Sequence, residues 1–366
     1  MIRIDEIYNN TWWPWINTYK PETRMFFCDP FGHTDCEHLY NFGRDDVREN
    51  KYIFMHDQEP IQLDAHRTLF QEVIRRNSDM YWHWQASPPG TVIVSERGDC
   101  VKELESIYGW KSAYYFFHGW ACLDWYRGYN RTYVLPHPSS RPEPKITFMS
   151  PNRIIGGQRA HRVLFLYHVT KKNLKHNHVS APRTCPVETQ DILNIAKQYE
   201  SRYPDIVQVL NSSGLPWLFQ NEPTQQMSSC WLSNFGEAIN SLIYVPTETV
   251  YFGNRTHITE KTFKAIALGM PFIPVAPAGS LEYMRSYGFR TFSDIWNEDY
   301  DNERDDMRRL EKVTDLLAQI DSLSVQEKMQ IQRNVLPSVE HNWNHFYHGG
   351  LEHVLWKELQ NTFNEL

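Results

Sequence analysis

The hydrophobic positions of this chain form short apolar runs that alternate with amphipathic stretches. In the first half, KYIFM (51–55), TVIVS (91–95) and AYYFF (113–117) have the length and composition of buried strands. Apolar residues at helical spacing predict helices over 64–77 and 99–109. Strands that alternate with helices predict an α/β fold with mostly parallel sheets.

The second half repeats this alternation and then becomes helical. Strands are predicted at 145–150, 241–246 and 271–276, and helices at 159–169, 257–269, 310–320 and 351–363. Ser324 and Glu327 fit a capping box that begins one further helix.

A proline-rich segment divides the two halves. LPHPSSRPEPK (135–145) has four prolines in eleven residues, so we expect an extended, stiff linker. The sequence therefore predicts an N-terminal domain over 1–134 and a C-terminal domain over 146–348, followed by a closing helical segment, 349–366. Two such domains, each with a sheet, are expected to face a cleft in which a ligand binds.

Composition narrows the class of protein. The formal charge is −7 and 41% of residues are hydrophobic, which excludes wholesale disorder and disfavours broad non-specific nucleic-acid binding. No apolar run reaches the roughly 20 residues of a membrane span, and the N-terminal residues do not resemble a signal peptide. The six cysteines form no C-x-x-C pair, so neither a zinc site nor a disulfide framework is expected. We therefore expect a cytoplasmic protein with reduced thiols.

The segment 241–276 carries the clearest chemistry. Thr259 is a candidate N-cap, and Gly269 with the following proline ends the helix. The start of this helix should lie at the carboxyl edge of the sheet, where its backbone N–H groups favour an anion. Lys261 would add a positive charge there.

Two glutamates of the same segment are candidates for a different contact. Glu260 and Glu248 are suited to accept hydrogen bonds from ribose or sugar hydroxyls. Alternatively, Glu260 only complements the helix dipole, and Lys261 is a solvated surface residue.

The loop 150–162 follows the first strand of the second half. Its Gly156–Gly157 pair permits a close approach of the backbone to a ligand. Four side chains supply donors that suit a phosphate, with Arg153 the first choice: Asn152, Arg153, Arg159 and Arg162. The alternative is a surface loop followed by a basic helix face.

The stretch IYVPTET…HITEKTFKAIALGMPFIPVA resembles the donor-binding segment of alpha-1,3-fucosyltransferases. Together with SLEYMRSYGFRTFSDIWNEDYD (280–301), it is more similar to glycosyltransferase-like proteins of bacteriophages and marine bacteria. The clear match covers 241–301 and a weaker one covers 145–169. Pro-Thr-Glu-Thr stands where the fucosyltransferases have Phe-Glu-Asn, so fucose and guanine specificity do not carry over.

The resemblance implies a GT-B fold, with two Rossmann-like domains and a last helix that crosses back to the first domain. It also implies that Lys261 binds the donor diphosphate and that Glu260 holds the ribose or the sugar. The expected activity is transfer of a sugar from a nucleotide diphosphate donor to an acceptor hydroxyl. That acceptor is a saccharide or a hydroxymethylated base in phage DNA, which would place the protein in a host cytoplasm.

Such a transfer needs a base for the acceptor proton. The candidates are Asp57 and Glu59, in the turn after the strand 51–55. Glu96 and His118, which also follow predicted strands, are second choices. The alternative for this turn is a cap for the helix that follows it.

No metal or cofactor is expected in this chemistry. The acidic pairs Asp45–Asp46 and Asp299–Asp301, and the pair His176 and His178 in a polar loop, are assigned to solvent. The chief alternative function is a non-catalytic protein that binds a nucleotide sugar or a glycan and has kept the GT-B fold. A phosphoryl or sulfuryl transferase is disfavoured, because the chain has no G-x-x-x-x-G-K-[ST] loop.

Overall fold

The computed structural model describes residues 7–20, 23–27, 51–56, 60–61, 90–108, 111–131, 135–186, 189–219 and 231–366. The chain divides into two compact units, Met1–Asp124 with Glu352–Leu366, and Trp125–Leu351. The predicted helix over 64–77, the pair Asp45–Asp46, and the candidate bases Asp57 and Glu59 lie outside the described residues.

Nine strands and twelve α-helices are found in the part of the chain that the structure describes. The strands are β1 Thr23–Phe27, β2 Lys51–His56, β3 Gly90–Val94, β4 Arg97–Gly98, β5 Lys111–Tyr114, β6 Ile146–Pro151, β7 Asn177–Ser180, β8 Ser241–Tyr244 and β9 Arg255–Thr256. The helices are α1 Trp13–Tyr19, α2 Asp99–Tyr108, α3 Phe117–Tyr126, α4 Ala160–Lys171, α5 Ile192–Lys197, α6 Ile206–Asn211, α7 Phe235–Asn240, α8 Glu260–Ala267, α9 Ser280–Ser286, α10 Asp306–Asp321, α11 Val325–Tyr347 and α12 Gly350–Glu365.

The first unit contains a parallel sheet with strand order β1-β2-β3-β5. Successive residues of β3, which point to opposite faces of the sheet, are both buried, as is usual in a parallel sheet. Ile53 lies opposite Thr91 in the register, and Val92 and Ile93 are almost fully buried.

The C-terminal helix α12 is part of this first unit. The Glu358 carboxylate accepts a hydrogen bond from the Phe116 backbone N–H at 2.8 Å, just after β5 ends. The Thr362 hydroxyl donates to the Tyr114 carbonyl at 2.5 Å, and Trp356 meets Trp120 edge to face. These contacts join the last helix to residues more than 230 positions earlier in the chain.

The second unit contains a second parallel sheet, with order β7-β6-β8. Residues 272 and 275 extend it with parallel bridges to Tyr244 and Thr247. The prediction of an α/β chain with mostly parallel sheets is confirmed, as are strands close to 145–150 and 241–246. The predicted strand 271–276 is wrong as a continuous strand, because only two isolated bridges form there.

Helix α8 has both of the predicted boundaries. Thr259 is its N-cap, with extended backbone and a side chain that accepts from the Lys261 N–H. Gly269 has a φ of +64°, and a Cβ there would lie 2.9 Å from Pro138 Cγ. Only glycine therefore suits both the backbone conformation and the close packing at this position.

The proline-rich segment 135–145 lies inside the second unit, whose first residue is Trp125. It includes a short 3₁₀ turn, Pro138–Ser140. Arg141 donates to the carbonyls of Ala238 and Ser241 at 2.5 and 3.0 Å, and burial lowers its pKa to about 10. The buried Arg141 guanidinium thus holds the segment against the residues around β8.

The predicted strand 113–117 is only partly correct. The strand ends at Tyr114, and Phe117 already begins α3. Tyr115 and Phe116 are fully buried between the two elements. An apolar run of this length does not distinguish a buried strand from the start of a buried helix. The strand β1 and the helix α1 were not predicted.

None of the helices in the described ranges is long and apolar enough to cross a membrane.

We predict that the second unit loses stability between pH 7 and pH 5 because of His168. Burial, and then the charge of Lys172, lowers the pKa of this histidine to about 4. Below pH 6.5 this histidine therefore takes up a proton in the unfolded chain but stays neutral in the folded protein. At pH 5 this costs about 2 kcal/mol.

Urea unfolding of wild type and His168→Gln at both pH values measures this loss. The variant should lose about 2 kcal/mol less than wild type over this interval. His348→Gln, which removes an exposed histidine of the same unit, should behave as wild type. Equal losses in wild type and His168→Gln would contradict the assignment.

Candidate functional site

Two loops of the second unit meet at the carboxyl edge of its sheet. Residues 152–159 follow β6, and residues 245–259 follow β8 and lead into α8. Because β6 and β8 are neighbouring parallel strands, their carboxyl ends lie side by side. Ligands of parallel α/β sheets bind at this edge.

Buried polar side chains hold these two loops together. The Thr247 hydroxyl donates to Asn152 Oδ1 at 2.6 Å, and the Asn152 amide donates to the Ser150 carbonyl at 3.1 Å. Arg162 donates to the Ile154 carbonyl at 2.6 Å and to the Thr247 carbonyl at 2.8 Å. Asn152 and Arg162 are 0% and 3% exposed, so both side chains are part of the framework.

Glu248 is the most heavily bonded side chain of the site. Its Oε2 accepts from the Thr259 backbone N–H at 3.1 Å and from the Thr259 hydroxyl at 2.5 Å. Its Oε1 accepts from the Thr262 N–H at 3.2 Å and from the Thr262 hydroxyl at 2.6 Å. The residue is fully buried. This carboxylate therefore fixes the start of α8 against the end of β8.

These bonds change how α8 can bind an anion. The N–H of Thr262 is taken by Glu248, and the N–H of Lys261 is directed at the Thr259 hydroxyl at 3.5 Å. The expectation that backbone N–H groups at this terminus bind an anion is thus not met for these two residues. Here a phosphate would meet a side-chain cation instead.

Lys261 does not extend into bulk water. Its ammonium donates to Thr249 Oγ1 at 3.0 Å, to Thr259 Oγ1 at 3.3 Å and to Glu260 Oε1 at 2.9 Å. The Lys261 side chain is 26% exposed and that of Glu260 is 10% exposed. The ammonium is therefore held at a defined place but can still be reached from solvent.

Backbone N–H groups that suit an anion are found at the start of α4, whereas those of Lys261 and Thr262 in α8 are already bonded. Gly157 has a φ of +58° and opens a 3₁₀ turn, Gly157–Arg159, that leads into the helix. No side chain in the described ranges caps this turn or the helix after it. Arg153 is exposed and Arg159 is half-buried, so both guanidinium groups can reach a ligand at this edge.

Charges of both signs lie close together at this edge. Burial, and then the charge of Arg159, lowers the pKa of Arg162 to about 9, although Glu248 and Glu260 act in the opposite direction. Burial and the neighbouring Arg162 hold the pKa of His161 well below its usual value. His161 is therefore a neutral ring, and its Nε2 lies 3.0 Å from the Glu248 carbonyl.

The eight predicted donor-binding residues thus fall into three groups. Four have side chains that are buried in the framework, so the structure gives them a positioning role instead of a ligand contact: Asn152, Arg162, Glu248 and Thr259. Three keep side chains that a ligand can approach, Arg153, Arg159 and Lys261, whereas Glu260 is buried with a side chain that is 10% exposed.

Several supporting residues were not predicted. Thr249 and Thr262 are the hydroxyl partners of Lys261 and Glu248. The Tyr251 ring stacks on His161 at 4.8 Å, and the Arg309 guanidinium lies over it at 4.5 Å. A polar residue three positions after the N-cap could have indicated Thr262, whereas nothing local indicates Arg309.

The acidic and histidine pairs assigned to solvent are only partly exposed. Asp301 is buried and accepts from the Leu281 N–H at 3.0 Å, which caps α9. His178 belongs to β7 and not to a loop, whereas Asp299 and His176 are exposed. No group of three or more possible metal ligands is found among the residues that the structure describes.

Glu96, a second-choice base, has both carboxylate oxygens hydrogen-bonded within the first unit. Its Oε2 accepts from the Ile61 N–H at 2.9 Å and its Oε1 accepts from Cys100 Sγ at 2.7 Å. Glu96 and His118 are 1% and 6% exposed, so neither presents its side chain to solvent.

Comparisons with known proteins give few matches. No protein-family model matches the chain, and no curated protein matches it. Among solved structures, the chain is similar to an aspartate-to-alanine mutant of T4 phage BGT in complex with UDP-glucose. The sequence identity is 10%, the TM-score is 0.32, and the alignment covers 89% of this chain and 84% of the other.

We predict that Glu248→Gln destabilises the second unit by about 3 kcal/mol. The glutamine keeps the shape, but its NH₂ group would face donors on Thr259 or Thr262. Thermal or urea unfolding measures the loss. Glu200→Gln, at an exposed position of the same unit, should change stability by less than about 0.5 kcal/mol. A Glu248→Gln protein as stable as wild type would show that the four hydrogen bonds do not hold α8 in place.

Proposed function

We propose that this protein is a glycosyltransferase of the GT-B class. It moves a sugar from a nucleotide diphosphate donor to an acceptor hydroxyl. The observation that carries this proposal is the ammonium of Lys261, held by Thr249, Thr259 and Glu260 at the carboxyl edge of a parallel sheet. A cation fixed at this edge suits a diphosphate.

In this proposal the diphosphate lies between Lys261 and the start of α4. In the uncapped turn, Gly157 and Gln158 supply backbone N–H groups, whereas the N–H of Arg159 donates to the Gly156 carbonyl at 3.1 Å; Arg153 and Arg159 supply guanidinium groups. As the bond between the sugar and the diphosphate breaks, negative charge grows on the departing phosphate. Cations already in place stabilise that charge without rearrangement, so the proposed chemistry needs no metal.

Glu260 is proposed to bind hydroxyls of the ribose or of the sugar. Its Oε1 accepts from Lys261, and a carboxylate has room for further donors on its two oxygens. The contact with Lys261 also fixes its direction. Asn152, Arg162, Glu248 and Thr259 position the loops that carry these groups.

The acceptor hydroxyl loses its proton as it attacks the sugar carbon. We propose that Asp57 or Glu59 takes this proton, because both follow β2 in the sequence and Glu96 is fully bonded elsewhere. The acceptor is proposed to be a saccharide or a hydroxymethylated base in DNA.

We predict that one nucleotide class among UDP, GDP, CDP and ADP binds and stabilises the protein. Lys261→Gln should weaken that binding about tenfold or more, because it removes a charge-assisted hydrogen bond to phosphate. Thermal shift and isothermal titration measure both effects.

Lys264→Gln is the matched control, since it removes a half-buried lysine one turn further along α8. This control should bind the nucleotide as wild type does. Nucleotide binding that is equally strong in Lys261→Gln would remove Lys261 from the donor site. A wild type that binds none of the four nucleotides would overturn the proposed function.

We predict that replacing the base slows transfer without weakening donor binding. Asp57→Asn or Glu59→Gln should lower kcat about a hundredfold or more, because general base catalysis contributes that much. Turnover with the nucleotide sugar of the class that binds, and titration of the same nucleotide, separate the two effects. Full turnover in both variants would place the base elsewhere. Nucleotide binding with no transfer to either acceptor class would favour a binding protein over an enzyme.

A further inference from the structure

A cavity lies in the second unit, and its lining shares no residue with the proposed donor site. Its volume is about 660 Å³, within the range of about 300–1,000 Å³ that is usual for small-molecule sites. It is lined by Asn240, just before β8, and by Lys175, just before β7. Its lining also runs along the edge strand β7, with Asn177, His178 and Val179.

One wall of the cavity is an indole ring in a fixed position. Trp217 pairs with Ala181 through two backbone hydrogen bonds of 2.8 and 3.0 Å. Its Nε1 donates to the Ser213 carbonyl at 2.9 Å. The polar atom of the ring is thus already bonded, so a ligand meets the indole as an apolar surface.

Two amide side chains line the cavity. Asn177 Nδ2 donates to the Leu174 carbonyl at 2.7 Å, and Asn240 Nδ2 donates to the Gly236 carbonyl at 2.7 Å. Each bond uses one N–H of the amide, so a second N–H and the amide oxygen remain for a ligand, and both suit a hydroxyl, which donates and accepts.

The charges on the lining balance one another. Lys175 and Glu237 contribute one positive and one negative charge. His178 adds a buried Nδ1 that has no hydrogen-bond partner among the residues that the structure describes. A balanced lining does not favour a phosphate or another multiply charged anion, whereas acceptors and an unpaired ring nitrogen favour a neutral ligand with many hydroxyls.

We propose that this cavity binds a saccharide. The apolar faces of sugar rings suit the Trp217 indole, and sugar hydroxyls suit the amide oxygens of Asn177 and Asn240 and the carboxylate of Glu237. Since the lining includes no residue of the proposed donor site, the bound saccharide is held for recognition and does not take part in the transfer. This proposal does not depend on the donor chemistry.

Saturation-transfer NMR with maltotriose, cellotriose and N,N′-diacetylchitobiose tests the proposal on the full chain. We expect at least one of these probes to bind the wild type. Trp217→Ala should abolish its signal, and Glu237→Ala should weaken its binding about tenfold. Circular dichroism verifies that both variants are folded. Because Glu237 is half-buried on the short helix α7, its variant remains informative if Trp217→Ala fails to fold.

Two controls locate the binding. Ser212→Ala, at an exposed position outside the lining, and Lys261→Gln should both bind the probe as wild type does. The proposal is overturned if no probe binds the wild type, or if folded cavity variants bind it unchanged. It is also overturned if Lys261→Gln loses the probe, because the saccharide then occupies the proposed donor site. Failure of the proposed function would be seen separately, as a lack of nucleotide binding.

Discussion

The second unit depends on one buried carboxylate. A carboxylate out of water costs several kcal/mol unless donors surround it. Glu248 meets four donors, two of them backbone N–H groups in the first turn of α8, where the helix dipole is positive. The same four bonds join the end of β8 to the start of α8. The place of Lys261 relative to the sheet follows from this one interaction, because its three oxygen partners lie on the residues that Glu248 fixes or on its neighbours.

This arrangement has a consequence for how an anion is recognised. Donors that would hold a phosphate at the start of α8 are used to bury Glu248 and to cap the helix. In the proposed function, the recognition of charge therefore depends on the Lys261 side chain and on the uncapped start of α4. Lys261 and Glu260 form a neutral pair in the protein without ligand, so a diphosphate has to compete with that pair for the ammonium. Selectivity for highly charged groups is a natural result, because a weak anion gains little by displacing a carboxylate.

Local patterns predicted much of this unit, and long-range contacts account for what they missed. The boundaries of α8 follow from Thr259 and Gly269, whose roles depend on neighbouring backbone. The role of Glu248 does not follow from neighbouring residues, because its partners lie 11 and 14 residues away and are decided by tertiary packing. Arg162 has the sequence signature of a phosphate ligand, yet burial against carbonyls makes it structural. Spacing alone cannot tell whether a guanidinium points at a ligand or at the chain itself.

The first unit also has a buried carboxylate that follows a strand and accepts hydrogen bonds on both oxygens. Glu96 follows β3, is almost fully buried, and holds the Ile61 N–H with one oxygen and Cys100 Sγ with the other. A carboxylate in this state is already stabilised as an acceptor, and taking a proton from a substrate would require it to give up a bond that holds the fold. A general base must instead have an oxygen that substrate can reach. Among the carboxylates that follow the strands β2 and β3, this reasoning sets Glu96 aside and leaves Asp57 and Glu59.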